Sequence, residues 1–201
     1  FRAALHPRSR YQPPQTVVSV EQTANIGGGM IWKKAALDEV VAIAKANGLV
    51  THMDGARLLN ACVATGISAS DMAAGWDSAW IDFSKGLGAP IGGVLAGSRA
   101  FIDDVWRWKQ RLGGSMRQAG ICAAACVYAL DHHVDRLADD PAVTHAVGVV
   151  EVDAYARRSD AADRADRPGG QRVARGGKTH RLAVELHRAT VRLMEPREDL
   201  A

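Results

Sequence analysis

The chain has 201 residues, 47% of them apolar and 23% charged, the balance of an ordinary globular protein and not of a wholly disordered one. A formal charge of +3, from 25 basic and 22 acidic residues, argues against a dedicated nucleic-acid binder. No uncharged apolar run reaches the roughly 18 residues that a membrane span needs, and Cys62, Cys122 and Cys126 form neither an even disulfide set nor a CxxC pair, which favours a reducing cytoplasm.

In chain order, Thr16 to Val20 is a short β-branched run that reads as a buried strand, followed by a polar stretch and Gly27-Gly28-Gly29. Leu37, Val40, Val41 and Ala44 recur at helical spacing and stop at Asn47-Gly48, a good helix end. Leu49 to Met53 is a second strand. Leu58, Leu59, Ala61 and Cys62 predict a short helix, and Ser68 to Asp71 resembles a capping box that opens another. Ala79 to Phe83 reads as a third strand and Ile91 to Ala96 as a fourth, beyond a Gly/Pro turn. Phe101, Ile102, Val105, Trp106 and Trp108 imply a helix up to Gly113-Gly114, with the two tryptophans as packing residues. Gln118 to Leu137 is Ala-rich and predicts one long helix.

Composition changes after this body. From Asp153 to Arg181 the only large aliphatic residue is Val173, twelve positions are Asp, Arg or Lys, and all five Trp lie at or before Trp108. The body runs over about residues 15–138, and the rest is expected to bury little. Interleaved Asp and Arg make this tail a poor counterion-releasing arm for nucleic acid.

Strands that alternate with helices predict an α/β fold with a mostly parallel sheet and helices on both faces, a three-layer α/β/α arrangement. In such sheets ligands bind beyond the carboxyl ends of the strands. Past the second strand come Asp54-Gly55-Ala56-Arg57, and past the third Ser84-Lys85-Gly86-Leu87-Gly88-Ala89-Pro90. Taken alone, Asp54 is as readily a turn former or helix cap, and a lone Arg is usually a surface group. Lys85 is harder to set aside. It follows an apolar strand among small residues, and a lysine in a partly apolar pocket becomes a nucleophilic amine. A pyridoxal phosphate site needs such a lysine, and a carboxylate to keep the pyridine nitrogen protonated.

The wording of these segments narrows the reading further. His52-Met53-Asp54-Gly55-Ala56-Arg57-Leu58-Leu59-Asn60-Ala61, Ser84-Lys85-Gly86-Leu87-Gly88-Ala89-Pro90-Ile91-Gly92 and Gly113-Gly114-Ser115-Met116-Arg117-Gln118-Ala119-Gly120 resemble signature stretches of the threonine aldolases. Val20-Glu21-Gln22-Thr23-Ala24-Asn25, with the three glycines after it, resembles a fourth. The four stand in family order over about residues 1–140. The resemblance implies part of the large domain of a fold type I, aspartate aminotransferase-like pyridoxal phosphate enzyme over 1–140, with 141–201 an atypical tail in place of a small carboxyl-terminal domain.

It also implies roles. Lys85 matches the lysine that binds the cofactor covalently, Asp54 the aspartate that pairs with its ring nitrogen, and Ala56 the small residue against one ring face. Arg57 matches the arginine that holds the substrate α-carboxylate, and Arg117 a residue that reaches the cofactor phosphate of a neighbouring subunit. The implied reaction cleaves threonine, or a related 3-hydroxy amino acid, to glycine and an aldehyde in a homo-oligomer, dimer or tetramer. Partners other than a small amino acid are not expected, neither nucleic acid nor membrane, and no metal. Another β-eliminating or aldol-type lyase, and a non-catalytic remnant with exposed sheet edges, stay open as alternatives.

Departures from the family pattern bear on activity. Family members are longer by a hundred or more residues at the amino end, the part that carries the phosphate-cradling turn and a histidine stacked on the ring. Together with Phe1 in place of Met, this predicts an amino-terminally truncated chain that is short of catalytic parts. Tyr11 is aligned with a family histidine near the substrate hydroxyl, with His6 close by, and Gln110 stands where relatives often have lysine. The remaining candidates have structural readings: Cys122 and Cys126 pack in a core, and His132-His133 suit the negative end of a helix dipole.

Overall fold

The computed structural model describes residues 1–140; the atypical stretch expected over 141–201 lies outside the described residues. Four strands form one sheet in the order β1 (Val17–Glu21), β2 (Val50–Gly55), β3 (Ser78–Asp82) and β4 (Gly93–Gly97). The first three run parallel and β4 is antiparallel to β3, so the fold is α/β with a mostly parallel sheet. Between β1 and β2 lies α1 (Lys34–Ala46), whose Leu37, Val40, Val41 and Ala44 stripe is buried as its period predicts. It ends at Asn47 and Gly48, the latter at φ +66, a backbone conformation that glycine adopts without penalty.

Two short helices join β2 to β3. They are α2 (Leu58–Thr65) and the single turn α3 (Ala69–Met72), which the Ser68 hydroxyl caps by accepting from the Asp71 amide. Beyond β4 run α4 (Arg99–Arg111), capped by Ser98, and α5 (Gly120–His132).

Register decides which side chains share a face. Val20, Met53 and Ala79 lie side by side, and the face they define, with Val18 and Ile81, joins Leu37, Leu58, Met72, Leu130 and Leu137 in one apolar core. The opposite face carries Val17 and Val50, 57% and 51% exposed, and then the row Glu21, Asp54, Trp80. Among the described residues, α1, α2 and the chain from α5 onward cover one face of the sheet, and α4 meets the other at β4, where Phe101 lies against Gly97. Polar and aromatic side chains occupy this second face near its carboxyl end.

Three expectations need correction. Asp54 and Gly55 are the last residues of β2 and not a loop beyond it, because Asp54 pairs with Glu21 on one side and Trp80 on the other. The single helix expected over Gln118 to Leu137 stops at His132, and a 3-10 turn, Asp135–Asp139, follows. The break brings Val134 and Leu137 into the core, and His133 Nδ1 lies 2.6 Å from the Leu87 carbonyl. Trp106 and Trp108 do not pack in the core. No residue of α4 is buried, and the two rings are 40% and 56% exposed, with Lys109 and Arg111 over them. Cys126, by contrast, is buried as expected, its thiol donating to the Ile91 carbonyl at 3.3 Å.

The amino ends of β2 and β3 are tied by a side-chain clamp. Asp77 Oδ2 accepts from the Thr51 amide and hydroxyl, each at 2.8 Å, and the Asp77 amide donates to Thr51 Oγ1 at 2.9 Å. The Thr51 amide, with the hydroxyl adding to it, holds the Asp77 carboxyl below its ordinary value. A carboxyl lowered in the folded state stabilises the fold above its unfolded pKa, and that contribution is lost as pH falls through the folded value. Thr51→Val removes two of the three bonds and is expected to cost about 1–3 kcal/mol at pH 7 in urea denaturation. The difference from the parent should shrink below about pH 4, as Asp77 takes up a proton.

Candidate active site

The three parallel strands end on the same side of the sheet, at Glu21, Gly55 and Asp82. Backbone bonds lock the turns together there: the Gln22 amide donates to the Asp54 carbonyl at 2.8 Å, and the Arg57 amide to the Gln22 carbonyl at 3.3 Å. Gln22 is fully buried and anchors the turn to the segment before α1, with its side chain donating to and accepting from the Trp32 backbone.

Asp54 is half-buried, and its Oδ1 accepts from the Ala56 amide at 3.1 Å, an Asx turn that leads the chain off the strand. Its Oδ2 has no hydrogen-bond partner among the described residues. Ala56 is buried beside it. Arg57 opens α2, and its guanidinium turns back over the strand ends. Nη2 donates to Asn25 Oδ1 at 2.9 Å, and Nη1 lies 3.4 Å from Glu21 Oε1.

Lys85 stands three residues beyond Asp82 and pairs with its carboxylate. The ammonium also lies 5.6 Å from the centre of the Trp80 ring, and Trp80 is the register neighbour of Asp54. Trp80 thus links the lysine to the aspartate across β2 and β3. Burial raises the Asp82 carboxyl, but the Lys85 ammonium and the Ser84 hydroxyl and amide outweigh it and hold it below the usual carboxylate range. The loop after Lys85 is packed closely: a Cβ on Gly86 would come within 2.7 Å of Leu137 and 2.9 Å of Asp140. The position of Lys85 therefore depends on the chain that follows α5.

Lys85, Asp54, Ala56 and Arg57 all gather at the strand ends. Arg117 does not; it is exposed in the loop between α4 and α5, without a hydrogen bond to any described residue. Tyr11, 86% exposed, lies in the segment before β1, its amide donating to the Ser9 hydroxyl at 3.1 Å. Gln110 is exposed near the end of α4. Sequence reasoning assigned no role to Glu21, Asn25, Trp80 or Asp82. Asp82 carried a readable signal, one acidic residue three positions from the key lysine. Glu21 and Trp80 reach the site through strand register and Asn25 through the turn after β1, neither of which a single sequence displays.

Two buried thiols are held in their neutral form. Burial pushes the Cys62 thiol up to about 12, and burial with the neighbouring Cys122 raises Cys126. No cluster of metal-ligating side chains occurs among the described residues, and no described helix is long and apolar enough to cross a membrane.

A mostly parallel sheet with lysine, carboxylate and guanidinium at the carboxyl ends of its strands places this chain in the α/β class, in which ligands bind at that edge. The chain belongs to the beta-eliminating lyase family, which it matches over residues 1–163. It is 41% identical over 124 residues to the low specificity L-threonine aldolase of Escherichia coli, covering 62% of this chain and 36% of that protein. It is 37% identical over 132 residues to low-specificity L-threonine aldolase 1 of Arabidopsis thaliana, covering 66% and 37%. A Listeria monocytogenes protein assigned as an L-allo-threonine aldolase superposes with a TM-score of 0.61 at 26% identity, over 64% of this chain and 36% of that one. The chain thus spans about a third of the length of the curated relatives it matches.

Proposed function

We propose that this chain carries the lysine-bearing part of a pyridoxal 5'-phosphate-dependent carbon–carbon lyase that splits threonine, or a related 3-hydroxy amino acid, into glycine and an aldehyde. The observation that carries the reading is the gathering of Lys85, Asp54 and Arg57 at the carboxyl ends of adjacent parallel strands. The donor set fits the cofactor. Lys85 offers a primary amine, Asp54 Oδ2 is a carboxylate oxygen without a partner among the described residues, and Ala56 adds only a methyl group next to it.

When bound, the cofactor supplies a ring that accepts the electron pair released as the Cα–Cβ bond breaks. Lys85 holds the cofactor through its Nζ. Asp54 Oδ2 keeps a proton on the ring nitrogen, and Arg57 orients the substrate α-carboxylate through its planar fork. Arg117, exposed and unpaired among the described residues, is assigned to the cofactor phosphate of a neighbouring subunit. We assign the protein to a homo-oligomer, dimer or tetramer, in a reducing cytoplasm. Exposed Phe101, Trp106, Trp108 and Leu112 support association, and free cysteines support the compartment. Residues 1–140 are taken as part of the cofactor-binding domain. The name of the matched family favours one second reading, β-elimination from a β-substituted amino acid.

Borohydride reduction after incubation with pyridoxal phosphate should place a stable label on the Lys85 peptide, read by mass spectrometry. Threonine should yield equimolar glycine and acetaldehyde. Lys85→Ala should abolish both the label and the products. Absence of label on Lys85, or threonine cleavage unchanged in Lys85→Ala, removes the reading. Pyruvate and ammonia from serine, with no glycine from threonine, would select the elimination reading instead.

A further inference from the structure

Arg57 is the residue assigned to the substrate carboxylate, yet its guanidinium is not held by its own strand or helix. Two acceptors, one at the end of β1 and one in the turn after it, hold it: Glu21 Oε1 at 3.4 Å from Nη1, and Asn25 Oδ1 at 2.9 Å from Nη2. The two acceptors are themselves joined, because the Asn25 amide donates to Glu21 Oε2 at 2.9 Å. Glu21 therefore uses both oxygens, one on the guanidinium and one on the backbone of the second acceptor. Arg57 and Glu21 are sheltered, their side chains 19% and 34% exposed. A guanidinium has five N–H groups in one plane, and these contacts use two of them. The remaining donors have no acceptor among the described residues and can make the paired contacts that a carboxylate accepts.

We propose that Glu21 and Asn25 are positioning residues for Arg57, fixing the plane of its guanidinium so that its unused donors meet the α-carboxylate of an amino acid. An arginine free to sample many rotamers binds a carboxylate more weakly than one already set in place, since the ordering cost then falls on binding. The effect belongs to substrate affinity and not to the bond-breaking step, because both residues act through the guanidinium of Arg57. Glu21 also stands beside Asp54 in register, so Arg57 offsets one of two adjacent carboxylates. The inference rests on the reading of Arg57 given above.

The test measures glycine binding to the cofactor-loaded full chain by calorimetry, beside KM and kcat for threonine. Glu21→Ala should weaken glycine and raise KM by about 10-fold, with kcat within about twofold. Glu21→Gln keeps one acceptor where two are used and should fall between, at about threefold. Asn25→Ala removes only the Nη2 acceptor, and a similar rise of about threefold is expected. It carries the test alone should Glu21→Ala lose its helical circular dichroism. Borohydride labelling of Lys85 should be the same in all three variants.

Glycine affinity unchanged in Glu21→Ala and Asn25→Ala, or a fall in kcat at constant KM, overturns the inference. Arg57→Ala distinguishes the two levels of failure. If it weakens glycine while the Glu21 and Asn25 variants do not, positioning fails and the carboxylate role stands. If neither the parent chain nor Arg57→Ala differs in glycine binding, the role of Arg57 falls and the inference falls with it.

Discussion

Gly55→Ala is expected to destabilise the chain by at least about 3 kcal/mol, a larger effect than that of any other single methyl group added to the sheet. A Cβ built on Gly55 lies 2.2 Å from the Trp80 carbonyl oxygen and 3.1 Å from Leu58 Cβ. The first of these atoms is backbone and cannot swing aside as a flexible side chain does. Relief requires β2 and β3 to move apart, which weakens the pairing of Gly55 with Ile81 and shifts Asp54 from beside Trp80. Gly48→Ala is the control. Gly48 sits at φ +66 with open space around its Cβ position, so alanine there meets only backbone strain, about 1–2 kcal/mol. Urea denaturation of the two variants separates crowding from conformation. Equal midpoints would show that the approach of Trp80 to Gly55 is slack. A further consequence is that Gly55→Ala should lose cofactor capture at Lys85 even where it remains folded.

The reasons for that asymmetry also explain which parts of the molecule were legible in the sequence. The α1 stripe and its Asn47-Gly48 end could be read because both are local signals, a 3.6-residue period and a left-handed turn residue. The parallel order of the first three strands followed from the helices between them. The sequence pattern ends β2 two residues early because Asp54 and Gly55 are poor strand formers by propensity. They are strand residues through pairing with Glu21, Trp80 and Ile81, a tertiary effect. The break after His132 was hidden for a similar reason. Ala-rich sequence favours one long helix, and only the burial of Val134 and Leu137 and the contact of His133 with Leu87 reward a turn.

At the site, Lys85, Asp54 and Arg57 were visible through residue type and wording. Their partners were not. Glu21 lies 36 residues from Arg57, and Lys85 meets Trp80 because it turns back beyond β3 to pair with Asp82, which shares a strand face with Trp80. Trp106 and Trp108 show the converse case. Helical spacing marks an apolar stripe on α4, but it does not say whether that stripe faces this chain's core or another surface. Among the described residues Phe101 lies against Gly97 of β4, while the Trp106 and Trp108 rings stand exposed.

Asp54→Asn is expected to lower threonine cleavage by about 10²–10³-fold while leaving the fold and the cofactor linkage in place. The two oxygens of Asp54 serve different ends. Oδ1 accepts from the Ala56 amide and forms the turn into α2, whereas Oδ2 is without a partner among the described residues. Asparagine is of the same size and keeps an oxygen for the Ala56 amide, so the turn survives. It presents an uncharged amide where the carboxylate stood and no longer favours a proton on a ring nitrogen placed there. Asp54→Ala removes both functions, so the turn bond is lost along with the charge, at a further cost of about 1 kcal/mol in stability. Comparing the two variants therefore divides a structural role from a chemical one. If Asn and Ala lose stability equally, Oδ1 does not make the turn; if Asn retains full cleavage, the Asp54 charge has no part in the reaction. Borohydride labelling of Lys85 in Asp54→Asn completes the argument. Retained label with lost cleavage assigns Asp54 to the breaking of the carbon–carbon bond, and not to the capture of the cofactor.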